Sequence, residues 1–268
     1  MTNQNAQFAG SIPTIYDRYL GPILFQPYAE DLASRLDVTA NNSVLELACG
    51  TGILTRVLRD RLPASTRLVA TDLNEPMMQN ATSKFEKGEA VEWRQADACS
   101  LPFDDDSFDA VICQFGIMFV PDKPVCAREA HRVLKRGGVF LFNVWDALEH
   151  NDLGRIAHET ISGFFDRDPP TFYQVPFGYH DQDEIRRVLE EAGFRDVRFE
   201  FVAKVGIAGR AEDVAIGLVQ GNPVGVAISE RDPSLLPVIT NAVADALKKH
   251  FGETVRAPMR AIVIKANA

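Results

Sequence analysis

The sequence predicts an α/β protein with a doubly wound, mostly parallel sheet, a three-layer sandwich with helices on both faces of the strands. From Ser43 onwards, short apolar runs alternate with amphipathic stretches, and one strand plus one helix takes roughly 25 to 30 residues, as in βαβ crossovers. The first of these runs also leads directly into a glycine-containing turn. With 268 residues, of which 46% are hydrophobic and 24% charged, the chain has the composition of a globular protein with a full core.

The segment before the sheet, residues 1–42, is expected to form a helical cover. Ser11 can cap a first helix, which is expected to break at Gly21 and Pro22. Apolar residues then resume helical spacing from Leu24 to Leu36, so we expect two N-terminal helices.

The next part, residues 43–145, carries the alternation itself. Its strands are expected at residues 44–49, 67–71, 91–96, 110–114 and 139–145, and its helices near residues 53–58, 74–85 and 124–134.

After Trp145 the order of elements changes. Residues 146–180 are predicted to form a small cap, and residues 181–268 to complete the sheet with two late strands as an antiparallel edge pair. The expected elements are a helix at 148–165, an aromatic-rich loop at 168–179, a helix from Asp181 to Ala192, strands at 194–205 and 259–267, and helices around 212–218 and before His250. The whole chain, 1–268, is thus predicted as one domain with a cap.

Charge and composition exclude several classes of protein. Lys and Arg number 28 against 37 for Asp and Glu, and a net charge of −9 repels polyphosphates, so nucleic acid is not an expected partner. The chain has no apolar run of about 18 residues that could cross a bilayer, and no basic, apolar leader, so we expect a cytoplasmic protein without a membrane span. The four cysteines form no CxxC pair and are expected to be free thiols, with no metal site.

A glycine turn follows the first strand, in the run Val44-Leu-Glu-Leu-Ala-Cys-Gly-Thr-Gly52. Glycine lets a ligand approach the backbone and adopts φ values that cost other residues about 1 kcal/mol. Asp72 ends the second strand 20 residues after Gly52, where a carboxylate can bind ribose hydroxyls. Asp97 lies at the end of the third strand, where it can accept from an adenine amine. Either Asp alone would be better explained as a cap, but both together, on consecutive strand ends, favour a nucleoside site.

The turn lacks the features of a pyrophosphate site. A dinucleotide motif would have a third Gly where Thr55 stands, and no Lys or Arg in the turn could neutralise a diphosphate. Ribose and adenine features without pyrophosphate features fit S-adenosylmethionine.

Further motifs extend this pattern. In chain order the set is Glu46-Leu-Ala-Cys-Gly-Thr-Gly52, Asp72-Leu73, Asp97-Ala98, Leu101-Pro-Phe103, Ser107-Phe-Asp109, Phe119 with Pro121-Asp122, and Arg132-Val-Leu-Lys-Arg-Gly-Gly138. Together these motifs resemble class I S-adenosylmethionine-dependent methyltransferases, and within that class the small-molecule group that includes the ubiquinone and menaquinone C-methyltransferases. The resemblance covers about residues 43–145 and implies a Rossmann-like sheet of seven strands in the order 3-2-1-4-5-7-6, with strand 7 antiparallel.

The resemblance also implies the cofactor-binding residues, with 43–145 as the cofactor-binding core. Residues of the turn would line the methionine and ribose part, an Asp and a Leu would hold ribose and adenine, and the leading helix would fold over the cofactor. The implied residues are Tyr16, Tyr19, Ala48, Cys49, Gly50, Gly52, Asp72, Leu73, Asp97, Ala98, Gln114 and Phe115. One departure is Ala48, where the family has Gly, and we expect an adjusted fit rather than lost binding.

The predicted reaction is methyl transfer from S-adenosylmethionine, yielding S-adenosylhomocysteine, to an O, N or C atom of a small, apolar or aromatic metabolite. Such a displacement depends on positioning in a dry site and needs a base only if the acceptor keeps its proton. His180 is the candidate catalytic residue, because its loop follows the extension of strand 5. The resemblance implies that this part of the chain covers the substrate. Two alternatives stay open at this point, a nicotinamide-dependent oxidoreductase and a non-catalytic S-adenosylmethionine-binding module.

Overall fold

A computed structural model describes residues 8–39 and 41–268. Seven strands form a single sheet: β1 (Ser43–Leu47), β2 (Arg67–Asp72), β3 (Glu92–Gln95), β4 (Phe108–Gln114), β5 (Leu134–Trp145), β6 (Arg195–Ala208) and β7 (Val255–Asn267). Their order is β3-β2-β1-β4-β5-β7-β6, and β7 runs antiparallel to both of its neighbours. The predicted fold class, strand order and direction of strand 7 are therefore confirmed.

The centre of the sheet is parallel and buried. β1 pairs in parallel with β2 on one side and with β4 on the other. Val44, Leu45 and Leu47 of β1 are fully buried, as expected for a strand covered by helices on both faces. The chain leaves β1 towards one edge and returns at β4 towards the other, so a crevice opens between the carboxyl ends of these two strands.

The α-helices flank this sheet. They are α1 (Ile12–Ile15), α2 (Gln26–Ser34), α3 (Ile53–Arg61), α4 (Glu75–Thr82), α5 (Lys123–Val133), α6 (Asp152–Ser162), α7 (Gln182–Glu191), α8 (Ala211–Gln220), α9 (Val224–Arg231) and α10 (Leu235–Phe251). Between α1 and α2 the chain forms a π-helical segment, Tyr16–Phe25, which we call the cover segment.

The expected break at Gly21 and Pro22 is wrong. The cover segment continues the helix from α1 into α2, with Pro22 inside it. Proline lacks the N–H of a regular helical bond, and the wider π-helical turns carry the chain past it. The Ser11 side chain forms no capping hydrogen bond.

The C-terminal part agrees with its predicted layout but differs in detail. The single helix expected at 148–165 is a 3₁₀ turn, Leu148–His150, followed by the shorter α6. The structure also contains α9, which was not predicted. Asp181 caps α7 as predicted, because its carboxylate accepts from the backbone N–H groups of Asp183 and Glu184.

Two general expectations also bear on the fold. Cys49, Cys113 and Cys126 are buried free thiols, and Cys99 is a partly buried one. Among the described helices, none has both the length and the apolar character needed to cross a membrane.

Candidate active site

A tight turn links β1 to α3 at the carboxyl end of the sheet. Ala48, Gly50 and Gly52 all have left-handed backbone conformations, with φ of 50°, 56° and 78°. A Cβ on Gly52 would lie 2.9 Å from the Cβ of Ala81 in α4, so the turn also needs glycine there for close packing. The sequence therefore folds the backbone of this turn against α4 and leaves it bare of large side chains.

The Asp72 carboxylate holds this turn in place. One oxygen accepts from the backbone N–H of Gly50 at 2.8 Å, and the other from the backbone N–H of Asn74 at 2.7 Å. The residue is only 6% exposed. Burial raises the pKa of Asp72, and these amide hydrogen bonds act in the opposite direction by stabilising the carboxylate.

Glu46 is a buried carboxyl group beside the same turn. It is 1% exposed, and its Oε2 has no hydrogen-bond partner among residues 8–39 and 41–268. Burial raises the pKa of Glu46 to about 8, the nearby Thr55 hydroxyl lowers it, and the charge of Asp72 raises it. Glu46 lies within the first motif, but no role was predicted for it; an acidic residue in an otherwise apolar buried strand was the available signal.

The departure at Ala48 is accommodated by a neighbouring glycine. The methyl group of Ala48 lies so close to Gly116 that a Cβ on Gly116 would be 2.5 Å from it. Ala48 itself is held at a φ of 50°, where glycine would be unstrained. Gly116 thus provides the space that the extra methyl group needs.

A first cavity lies directly on the glycine turn. It encloses about 310 Å³, its open mouth included. Its walls come from the cover segment, β1, the turn, α3 and the end of β4. They are Tyr16, Phe25, Glu46, Ala48, Cys49, Gly50, Thr51, Ile53, Leu54 and Gln114.

A second, larger cavity of about 610 Å³, again with its mouth included, lies next to the first. Nine aromatic side chains line it, and none of the described residues in its wall is charged. The lining residues are Phe8, Tyr16, Leu20, Leu24, Phe25, Phe115, Met118, Phe119, Trp145, Asn151, Leu153, Gly154, Phe172, Tyr173, Pro176, Phe177, Leu218, Asn222 and Met259.

The polar side chains of the second cavity are largely used within the protein. The Asn151 amide donates to three backbone carbonyls, those of Asp146, Ala147 and Arg260. The Tyr173 hydroxyl donates to the carbonyl of Leu218 at 2.8 Å. The cavity therefore presents an apolar, aromatic surface to a ligand.

Tyr16 and Phe25 line both cavities and so form their shared wall. Their rings stack with centroids 4.6 Å apart. Burial raises the pKa of the Tyr16 phenol, and the charge of Asp72 adds to the effect. Lys84 ties this wall to the turn, since it forms an ion pair with Asp17 and donates to the carbonyl of Thr51 at 2.7 Å.

Of the twelve predicted cofactor residues, six line one of the two cavities and three lie on the surface beside them, whereas Gly52, Asp72 and Tyr19 are in neither described wall. Five line the first cavity, namely Tyr16, Ala48, Cys49, Gly50 and Gln114. Phe115 instead lines the second cavity, where it stacks on Trp145 at 3.8 Å.

Three further predicted residues lie on open surface beyond β2 and β3. Leu73 is 56% exposed, which is unusual for a large apolar side chain. Asp97 is exposed, and its Oδ1 accepts from the backbone N–H of Cys99 at 2.8 Å. Ala98 follows it and is half-buried.

Tyr19 and His180 are absent from the described walls of both cavities. Tyr19 lies against α8, where its Cβ is 3.0 Å from the position a Cβ would take on Gly217. The Nδ1 of His180 lies 2.9 Å from the carbonyl of Phe177, a residue that does line the second cavity.

Comparisons with known proteins agree with this geometry. Residues 45–142 match a protein family described as a methyltransferase domain. A demethylmenaquinone methyltransferase from Staphylococcus epidermidis is 28% identical over 200 residues, which cover 68% of this chain and 81% of the relative. The corresponding protein of Staphylococcus aureus is 29% identical over 201 residues, with the same coverage.

Solved structures show the same fold. A phosphoethanolamine N-methyltransferase from Haemonchus contortus, in complex with phosphomonomethylethanolamine and S-adenosylhomocysteine, superposes with a TM-score of 0.65 at 15% identity. The match covers all of this chain and 60% of the Haemonchus chain.

The strand order is the Rossmann-like one of class I methyltransferases, and a glycine turn follows its first strand. Together, the match over residues 45–142 and the relatives aligned over 68% of this chain indicate an S-adenosylmethionine-dependent methyltransferase. The oxidoreductase alternative lacks the third Gly of its motif, since Thr55 stands at that position.

Proposed function

We propose that this methyltransferase acts on a small, apolar, aromatic metabolite, with the cofactor in the first cavity and the acceptor in the second. The observation that carries this proposal is the shared wall: the cavity on the glycine turn and the aromatic cavity meet at Tyr16 and Phe25. A methyl donor and an acceptor must lie about 3 Å apart and aligned for transfer, so adjoining cavities are required.

The residues of the first cavity fit the cofactor. The unpartnered Glu46 oxygen is a ready acceptor for the cofactor's ammonium group, since a buried carboxylate without a partner is otherwise costly. Asp72, on the adjacent strand end, is proposed to hold the ribose hydroxyls. The exposed Leu73 and the Asp97–Ala98 segment, which follow β2 and β3, are proposed to contact adenine.

The cofactor supplies a methyl group already activated by the sulfonium. The chain's part is then to bind both reactants, align them and exclude water. Tyr16 and Tyr173 carry the only phenols in the described wall of the second cavity, and burial raises the pKa of both. Both phenols therefore stay protonated and cannot take a proton from the acceptor. The Tyr173 hydroxyl already donates to Leu218, which leaves the Tyr16 hydroxyl to donate a hydrogen bond to the acceptor.

The chemistry of the second cavity restricts the acceptor. The Haemonchus enzyme was solved with a phosphorylated ligand, whereas the described wall here contains no Lys, Arg or His to pair with a phosphate. A buried anion without a partner is strongly disfavoured. Because two relatives are named demethylmenaquinone methyltransferases, quinols are the first acceptors to test.

The proposal is tested by measuring S-adenosylhomocysteine release across quinols, phenols, amines and polyketide-like acceptors. Each is paired with an analogue that carries a phosphate or sulfonate on the same skeleton. We expect turnover with at least one uncharged aromatic acceptor and at least tenfold lower kcat/KM with its anionic counterpart. Equal or better turnover of the anionic members would contradict the proposed acceptor class.

A further inference from the structure

The strand β6 forms one edge of the sheet and is long for an edge strand. It spans 14 residues, Arg195–Ala208, and β7 is its only neighbour among the described strands. An unpaired edge of this length offers a row of backbone donors and acceptors to another strand.

The register shows which backbone groups face outward. Asp146 donates to the carbonyl of Arg260, and Ala268 donates to the carbonyl of Gly138, so the even-numbered residues of β7 hydrogen-bond to β5. Its odd-numbered residues must then face β6, because the N–H and C=O of successive residues point to opposite sides of a strand. Since Val202 is paired with Ala261, the even-numbered residues of β6 face β7.

The odd-numbered residues of β6 consequently direct their backbone groups away from the sheet. These are Phe199, Phe201, Ala203, Val205 and Ile207. Three of them also present large apolar side chains to solvent, since Phe201 and Val205 are 50% exposed and Ile207 is 55% exposed. Among the strands of residues 8–39 and 41–268, the outer edge of β6 therefore has no pairing partner, and it is apolar.

The charges along this edge complement each other when β6 meets a second copy of itself. In an antiparallel pair, opposite residues share a face, and outward-facing residues must pair with one another. A twofold axis through Val202 satisfies both conditions and places Glu200 opposite Lys204 of the second copy, twice. It also places Phe201 opposite Ala203 and Phe199 opposite Val205.

The neighbouring registers are worse. An axis through Lys204 brings two lysines together, an axis through Glu200 brings two glutamates together, and an axis through Ala203 leaves both charges opposite Val202 and Gly206. Like charges directly opposite each other destabilise a pair, and opposite charges stabilise it. We propose that two copies of this chain dimerise by antiparallel pairing of β6 about Val202, which joins their sheets into one of fourteen strands.

The two charges are already positioned within each chain. The Glu200 carboxylate accepts from the guanidinium of Arg35 at 2.6 and 2.9 Å, and the Lys204 ammonium lies 3.8 Å from Asp31. These contacts limit the freedom of both side chains before a partner arrives. Pairing across the dimer would extend each into a small ion-pair network.

The test is sedimentation equilibrium of the full chain and a pair of charge reversals. The wild type is expected at twice the chain mass, and Glu200→Lys or Lys204→Glu alone should raise the dimer dissociation constant by at least about tenfold, because each creates two like-charge pairs. Mixing the two variants restores both opposite-charge pairs and should give a heterodimer. A monomeric wild type, or a dimer that neither reversal weakens, would overturn the proposal.

Two further variants separate the edge from local folding. Ala203→Pro removes an outward N–H, which an edge strand tolerates, and should yield a folded monomer that still binds S-adenosylhomocysteine. Arg35→Ala removes the same intrachain ion pair as Glu200→Lys without placing like charges across the edge, and should stay dimeric. A dimeric Ala203→Pro protein would also overturn the proposal.

Discussion

The Asp72 carboxylate accepts from the backbone N–H groups of Gly50 and Asn74 and so holds the glycine turn in place. The same carboxylate is proposed to bind the ribose hydroxyls. We expect Asp72→Ala to weaken S-adenosylhomocysteine binding at least about tenfold, or about 1.4 kcal/mol, as measured by calorimetry. Asp104→Ala, which removes an exposed carboxylate from a loop, is the matched control and should bind normally. Unchanged affinity in Asp72→Ala would remove this residue from the site.

Glu46 makes cofactor binding depend on pH. Burial raises the pKa of Glu46 to about 8, so the empty protein holds this carboxyl neutral near pH 7. A cationic ammonium favours the carboxylate, and affinity for S-adenosylhomocysteine should therefore rise as pH increases towards about 8, by up to about tenfold per pH unit. Glu46→Gln should bind more weakly at pH 8 and lose this pH dependence. A wild-type affinity that is flat across this range would contradict the assignment.

Glu46 also makes the stability of the fold depend on pH, but stability should fall with rising pH where cofactor affinity should rise. The pKa of Glu46 is raised on folding from its ordinary value of 4.5, so its contribution to stability is fully present below that value and is lost as pH rises through about 8. Glu46→Gln cannot ionise, and in thermal melts without cofactor it should lose less stability than wild type between pH 5 and pH 8. An identical loss in both proteins would show that Glu46 does not carry this effect.

At the scale of elements, the cover segment and α8 form one packed unit. A Cβ on Gly217 of α8 would lie 2.6 Å from a methyl carbon of Leu20, a residue that lines the second cavity. Gly217→Ala should therefore push Leu20 into new positions and raise the acceptor KM several-fold, with little change in cofactor affinity. Gly209→Ala, which has open space around it, is the control and should leave both unchanged. Equal effects of the two substitutions would show that the packing of Leu20 against Gly217 does not influence acceptor binding.

Elements were predictable to different degrees for physical reasons. The glycine turn and the strands around it follow from local patterns, because buried parallel strands are continuous apolar runs and the turn requires left-handed backbone. The cover segment was not predictable as one helix, because Pro22 ordinarily ends helices and only packing against the rest of the fold keeps it continuous. β6 and β7 are longer than predicted because their ends are defined by pairing with each other.

At the scale of the whole molecule, the aromatic cavity could not be read from the sequence. Its wall joins Phe8, Trp145, Leu218 and Met259, which are far apart in the chain and meet only through the fold. The aromatic loop of the cap gave a partial signal, since Phe172, among other residues of that loop, does line the cavity. Local patterns fix elements, whereas a cavity depends on how those elements pack.

The most direct test of a cofactor site on the glycine turn is a calorimetric titration of the wild-type protein with S-adenosylhomocysteine, repeated with NADH. We expect saturable binding of one S-adenosylhomocysteine per chain and none of NADH, because the turn has neither a third glycine nor a cation for a diphosphate. Absence of S-adenosylhomocysteine binding, or saturable binding of NADH in its place, would contradict the site described here.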